Sequence, residues 1–355
     1  DKLNELQDTY KYMLRYRIEG AKDPMQEQIY NNLQASTYEL ADSVKQKAVA
    51  VESPLSYYSR RRSPNIQPSL TYKQLHDQLL LEHEAGKHKE SDAFNILIFN
   101  KIWVSSFLKR EEAEDIRGML HDNALPFTTG SQIVSALMLG LQEAFDREKI
   151  LLLFDAASHP NEEVKVRALI SILITLYTYR KRTQLYPQIA DRLAALAETP
   201  GFIKTIRTII LRFILARETE KITRKLQDEI IPEMLKLSPK LSKKINLNEL
   251  TPEDLTGNEM NPEWESFFSD STLGKKMVEF GELQQEGADV MHSTFVHLKN
   301  FPFFHELSNW LLPFTIEHSY FDDQFTPDNE AEKQMLDSMT FAAFMCNSDK
   351  YSLYF

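Results

Sequence analysis

Apolar residues recur at helical spacing after Pro160. Val166, Leu169, Ile170, Leu173 and Ile174 make one stripe, and Tyr177 extends it. Forty positions further on the pattern returns: Pro160 maps onto Pro200, the stripe onto Ile206, Ile209, Ile210, Phe213 and Ile214, and Arg167 onto Arg207. Before the prolines, Leu153 maps onto Leu193 and Ala157 onto Ala197. The spacing predicts the same unit twice: a helix, a turn holding a proline, and a second helix. Proline belongs in the turn because it cannot donate the hydrogen bond that a helix interior needs. Glu162 and Glu163 then fall in the first turn of the second helix, where negative charge favours the positive end of the helix dipole.

A looser copy precedes these two. Pro126 lies 34 positions before Pro160, with Val134, Leu137, Met138 and Leu141 in the stripe, Ser135 in place of the arginine and Gln142 in place of Ile174. Pro239 follows Pro200 by 39, after "LQDEIIPEMLKL", but the next stretch, "SKKINLNELTPEDLTGNEMNP", is polar and reads as a connector. A period of 34–40 residues of paired helices predicts an α-solenoid, because a two-helix unit cannot bury its own stripes and stacking the next unit covers them.

The flanks differ from this array. Residues 1–52 read as a helical pair, with Asp23 and Pro24 as the cap and first turn of the second helix. Residues 53–69, "SPLSYYSRRRSPNIQPS", read as a basic Pro/Ser-rich loop. Residues 70–108 predict a further helix pair with Phe94, Leu97, Ile98 and Ile102 buried, so the repeats span 70–240. A polar connector at 241–262 and an acidic, aromatic-rich helical region at 263–355 follow. That last region holds 18 of the 38 aromatic residues, densest in "VHLKNFPFFHELSNWLLPF", which predicts a small core of its own. Its end at Phe355 carries no polar cap, so more chain is expected beyond it.

The array resembles the HEAT-repeat family, whose units carry a Leu-rich helix, a turn with proline and an acidic or amide residue, then V-R-x-x-A-L. Here "ILLLFDAASHPNEEVKVRALISIL" fits at Pro160, Asn161, Val164, Lys165, Ala168 and Leu169. "LAALAETPGFIKTIRTIIL" fits at Pro200, Ile203 and Lys204, with Thr208 where alanine is usual. The resemblance covers roughly 110–237. It implies an all-α, right-handed α-solenoid that binds partners along a concave surface. No 34-residue tetratricopeptide signature is found, although the helix-pair architecture is TPR-like.

Composition narrows the chemistry. Ten glycines in 355 residues favour helix over strand. The single cysteine, Cys346, excludes an internal disulfide framework and a thiolate metal site, which fits a cytoplasmic protein. It is expected to pack on an apolar helix beside Phe344 and Met345. No apolar run is long enough to span a bilayer. The chain begins at Asp1, so a removed leader stays open. The net charge of −11 is uneven: residues 160–245 carry +8 and residues 246–355 carry −15, which predicts units with different surfaces.

Catalytic motifs are missing. Two histidines on one metal-binding helix face stand four apart, about 40° around the axis, whereas His83 and His88 stand five apart, about 140°. His292 and His297 fail in the same way. "STLGKK" lacks the first glycine of a phosphate loop, and "YFDDQFTPDNEAE" lacks the glycine of a calcium loop. No metal or cofactor is expected. A basic track remains: Lys204, Arg207, Arg217, Lys221, Arg224 and Lys225. Arg167 and Arg207, at equivalent points, read as bonds between neighbouring units.

The sequence thus predicts a non-enzymatic scaffold whose basic side chains meet an acidic or peptide-like protein partner. The alternatives are a HEAT-like nucleic-acid-binding or repair protein using the 160–245 block, and a regulatory or sensor part of a larger signalling protein.

Overall fold

The computed structural model describes residues 1–20, 23–63, 70–217, 224, 299, 301–321, 339–340 and 345–354. Among the described residues every regular element is helical. The chain divides into two compact units, residues 1–202 with 306–329, and residues 203–305 with 330–355.

The first unit begins with a long hairpin, α1 (Lys2–Ile18) on α2 (Gln26–Ala50). Asp23 does not cap α2 directly. Its carboxylate accepts the Met25 N–H at 2.8 Å in a turn ahead of the helix, and Met25 takes the cap position. Nothing on α1 is buried.

A short helix, α3 (Ser56–Arg62), follows, where the sequence predicted a loop. Its polar composition conceals two buried rings. Tyr57 and Tyr58 are 1% and 2% exposed and meet edge to face at 4.9 Å, and Tyr57 also meets Trp103. Aromatic burial fixes this segment against its weak local helical signal.

Seven helices then alternate: α4 (Tyr72–Glu84), α5 (His88–Val104), α6 (Arg110–His121), α7 (Phe127–Glu143), α8 (Arg147–Ala156), α9 (Glu162–Thr178) and α10 (Pro187–Ala197). Their starts are set locally. Thr71 and Gln74 form a capping box on α4, Asp146 accepts the Glu148 and Lys149 N–H groups on α8, and Asn161 accepts those of Glu163 and Val164 on α9. Each such oxygen satisfies backbone donors that the first helical turn leaves open.

Packing joins next-but-one neighbours. α4 lies on α6, α6 on α8 and α8 on α10; α5 lies on α7 and α7 on α9. Successive helices α4 with α5 and α8 with α9 also pack. Two rows result, and α7 is the most enclosed helix of its row. Residues 128–137 of α7 are all buried. Small side chains admit the neighbours: a Cβ on Gly130 would meet Val164 of α9 at 3.3 Å, and Thr129 Oγ1 donates to Asn95 Oδ1 of α5 at 2.9 Å. The expected stripe of α7 is confirmed at Val134, Leu137 and Leu141, with Met138 half-buried. On α5, Ile98 and Ile102 are buried and Phe94 and Leu97 half-buried.

On α9 the expected stripe is corrected. The buried positions are Val164, Ala168, Leu169, Ser171, Ile172 and Thr175. Val166, Ile170, Leu173 and Ile174 are only half-buried, and Tyr177 is 73% exposed. α9 ends its row within the unit, so α7 and α8 cover one side of it and the other side stays partly open.

In the second unit α11 (Phe202–Ala216) carries the copied stripe, but only Ile209 is buried, while Ile210, Phe213 and Ile214 are exposed. Within that unit no described helix covers them. The expected small aromatic core is present in part: Phe303, Phe304 and Tyr351 are buried, and the Phe303 and Tyr351 rings lie 4.8 Å apart. Lys299 and Asp349 form an enclosed ion pair at 2.6 Å beside the terminal helix, Asn347–Tyr354. Cys346, expected to be packed, is exposed just ahead of that helix, with its Sγ 3.2 Å from Ser348 Oγ and its carbonyl accepting the Asp349 and Lys350 N–H groups; Phe344, expected beside it, lies outside the described residues. Residues 225–298, including the connector 241–262, lie outside the described residues.

Candidate interaction surface

The α5–α7–α9 row positions a set of polar side chains on a segment remote in sequence. Arg167, one turn into α9, is oriented by two bonds: Nη1 donates to Ser135 Oγ on α7 at 2.8 Å and Nη2 to Glu163 Oε1 at 2.7 Å. The same Nη1 donates to the main-chain carbonyl of Leu311. On α5, Asp92 Oδ2 accepts the main-chain N–H of Ser319 at 2.9 Å and faces the His318 ring at 3.5 Å. From α3, Arg60 donates to Glu306 Oε2 at 2.8 Å, with both side chains about one-third exposed. The segment between, with α12 at Leu307–Trp310 and a 3-10 turn at Ser319–Phe321, packs on α5 and buries Leu312, Phe314 and Phe321. Arg167 thus meets its expectation as a bond between neighbouring helix pairs and also reaches a carbonyl that the sequence reading did not foresee.

The other row is tied by charge. Asp155 on α8 accepts Arg117 Nε of α6 at 2.7 Å and faces Arg192 Nη1 of α10 at 3.3 Å. α2 is tied to the core at Arg182, which pairs with Asp42 and lies 4.0 Å over the Phe145 ring.

Inside the first unit a lysine is strongly perturbed. Lys149 is 1% exposed and donates from Nζ to the carbonyls of Ile102 at 2.9 Å and Ser105 at 2.8 Å, closing the C-terminal end of α5. Burial pushes its ammonium down to about 8, partly opposed by the Asp146 carboxylate. Burial likewise pushes the Asp146 carboxyl up, against Lys149 and the N–H groups it accepts from Leu108, Glu148 and Lys149. Both side chains are spent on main-chain groups of the fold, an arrangement that caps helices.

Of the basic track, Lys204, Arg207 and Arg217 are exposed along and just after α11, and Arg224 is exposed. Lys221 and Lys225 lie outside the described residues. Arg207 does not repeat the part of Arg167: it is exposed, whereas Arg167 is half-buried. His83 closes α4 and His88 opens α5, with Gly86 at φ 67° between them, so the two stand on different helices and not 140° apart on one. His292 and His297 lie outside the described residues. No cluster of three metal-ligating side chains occurs among the described residues, and no described helix is long and apolar enough to cross a membrane.

Sequence reasoning missed Arg60 and Asp92, and it assigned residues 306–314 to a separate C-terminal core, whereas they pack on α5. The pairing partners lie 144 to 246 positions apart, which no local pattern reports. Lys149 was within reach: it sits three and four positions before Leu152 and Leu153 on the buried face of α8. The chain matches no protein-family model, no curated protein and no solved structure.

Proposed function

We propose that the chain is a non-catalytic protein-interaction scaffold, and that its alternating helices form a HEAT-like, right-handed α-solenoid offering a curved surface to a protein partner. The observation that carries this reading is the packing of next-but-one helices in two rows, α4–α6–α8–α10 and α5–α7–α9. Such stacking spreads side chains from several helices along one face, and these can engage an elongated partner. In the second unit the exposed cations Lys204, Arg207 and Arg217, along and just after α11, are by themselves suited to an acidic or peptide-like segment.

The test is affinity capture from native extract with the intact protein and with Lys204→Glu/Arg207→Glu. Reversing two exposed charges is expected to weaken capture by at least about tenfold, since like-charge contact costs more than the roughly 1.4 kcal/mol that a decade represents. Helicity by circular dichroism should stay unchanged. No specific partner captured by the intact chain would end the proposal, and loss of helicity in the variant would make those side chains structural.

The same exposed cations favour a second reading, duplex DNA binding. It requires an affinity that falls linearly with the logarithm of salt concentration. No binding at low salt removes it.

A further inference from the structure

Residues 306–321 are held differently from the helices they touch. Between Leu311 and His318 the chain has no regular secondary structure. Two side chains of the α5–α7–α9 row hold it by its main chain: Arg167 takes the Leu311 carbonyl and Asp92 takes the Ser319 N–H. Main-chain contacts of this kind hold a segment whatever its side chains are, and here they pin both ends of the irregular stretch: Leu311 closes the short helix, with φ −111° and ψ 1°, and Ser319 opens the 3-10 turn. Selection comes from the apolar anchors Leu312, Pro313 and Phe314, all buried, and from Glu306, which pairs with Arg60. Arg167 is already oriented by Ser135 and Glu163. Those two bonds belong to the row and do not depend on the segment, so the carbonyl-binding group is in place before a chain arrives.

We infer that the α5–α7–α9 row is a binding surface for a peptide segment from another protein, one that follows the same course of short helix, irregular stretch and 3-10 turn, and that residues 306–321 are its resident occupant in cis. The partner carries the same chemistry: an aliphatic residue, a proline and an aromatic residue in succession, with an acidic residue six positions before the aliphatic one, as Glu306 stands to Leu312. The inference rests on the scaffold reading and supplies its surface and its class of partner. A surface filled most of the time binds an outside peptide with an affinity reduced by the fraction of time it stands open. The resident segment therefore sets the threshold for the partner.

The test uses the full chain and a fluorescein-labelled peptide with the sequence of residues 306–321. The variant Leu312→Ala/Phe314→Ala weakens the resident segment. Fluorescence anisotropy should show the peptide binding this variant at least tenfold more tightly than the unaltered chain, and the same two substitutions placed in the peptide should abolish binding. Equal affinity for variant and unaltered chain, or no binding to either, overturns the inference. So does dimerisation of the variant that excludes the peptide, because the surface is then an interface between copies. Hydrogen exchange on the unaltered chain guards against a variant that fails to fold: the Ser319 amide should open while the amides of α7 stay protected, and exchange of both in one global step makes 306–321 a piece of the core. Partner capture reads the scaffold proposal with residues 306–321 in place, whereas the peptide titration reads their displacement alone, so the two fail separately.

Discussion

Lys149 concentrates the physics of single positions in this chain. Its ammonium is enclosed, yet it donates to two carbonyls at the end of α5, that of Ser105 and that of Ile102, the latter shared with the Ser105 hydroxyl. Lys149→Met should destabilise the protein by about 1–3 kcal/mol at neutral pH, read by urea denaturation, because the Ser105 carbonyl loses this donor and the Ile102 carbonyl keeps only the Ser105 hydroxyl. The pH dependence has a definite sign. Below about 8 both folded and unfolded chains hold the proton, and the burial penalty is fully present. Between about 8 and the ordinary 10.5 the unfolded chain binds more protons, so the contribution of this group to stability rises with pH across that window. The methionine variant should lack that rise, and subtracting the two denaturation series isolates it from the tyrosines, including Tyr57, which burial pushes up to about 12. Gly140 makes a complementary case. A Cβ there would stand 2.4 Å from Lys149 Nζ and 2.9 Å from the Trp103 carbonyl. The lysine end can shift but the carbonyl belongs to α5, so Gly140→Ala should cost about 1–3 kcal/mol in the same measurement.

Among the elements, α9 marks the limit of periodicity. Its residues are apolar on more than one side, so a 3.6-residue repeat fits two stripes, one through Val166 and Ile170 and one through Val164 and Ala168. Only the neighbour decides between them: α7 lies on the second. The helices themselves were legible, because prolines at 126, 160 and 200 stand in turns and Asn161 caps α9. α3 was not legible, since its two buried tyrosines carry no helical period. Arg167 could be read as a bond between helix pairs, whereas its reach to Leu311 could not, because the separation of 144 positions leaves no local trace. The opposite row gives a test of its own. Asp155→Ala leaves Arg117 without its buried acceptor and should cost about 1.5–3 kcal/mol. Arg192→Ala should cost much less, because that guanidinium is half exposed. Thermal melts of the two variants compare these costs directly.

For the molecule as a whole, the uneven charge falls on separate parts of the chain, a basic middle and an acidic end. The boundary between the compact units, after Phe202, cuts through the second predicted repeat, so sequence similarity at a spacing of forty did not require a shared environment. Each unit has its own buried aromatic residues, and in the first unit these include an indole. Trp103 is 4% exposed against Phe99 and Tyr57, while Trp310 is 41% exposed in the 306–321 segment. With Trp264→Phe, the two remaining indoles form a built-in pair of optical probes. Iodide should quench the red-edge emission of Trp310 and leave the blue emission of Trp103 nearly untouched, so one cuvette can follow the segment and the interior at once, with no dye attached.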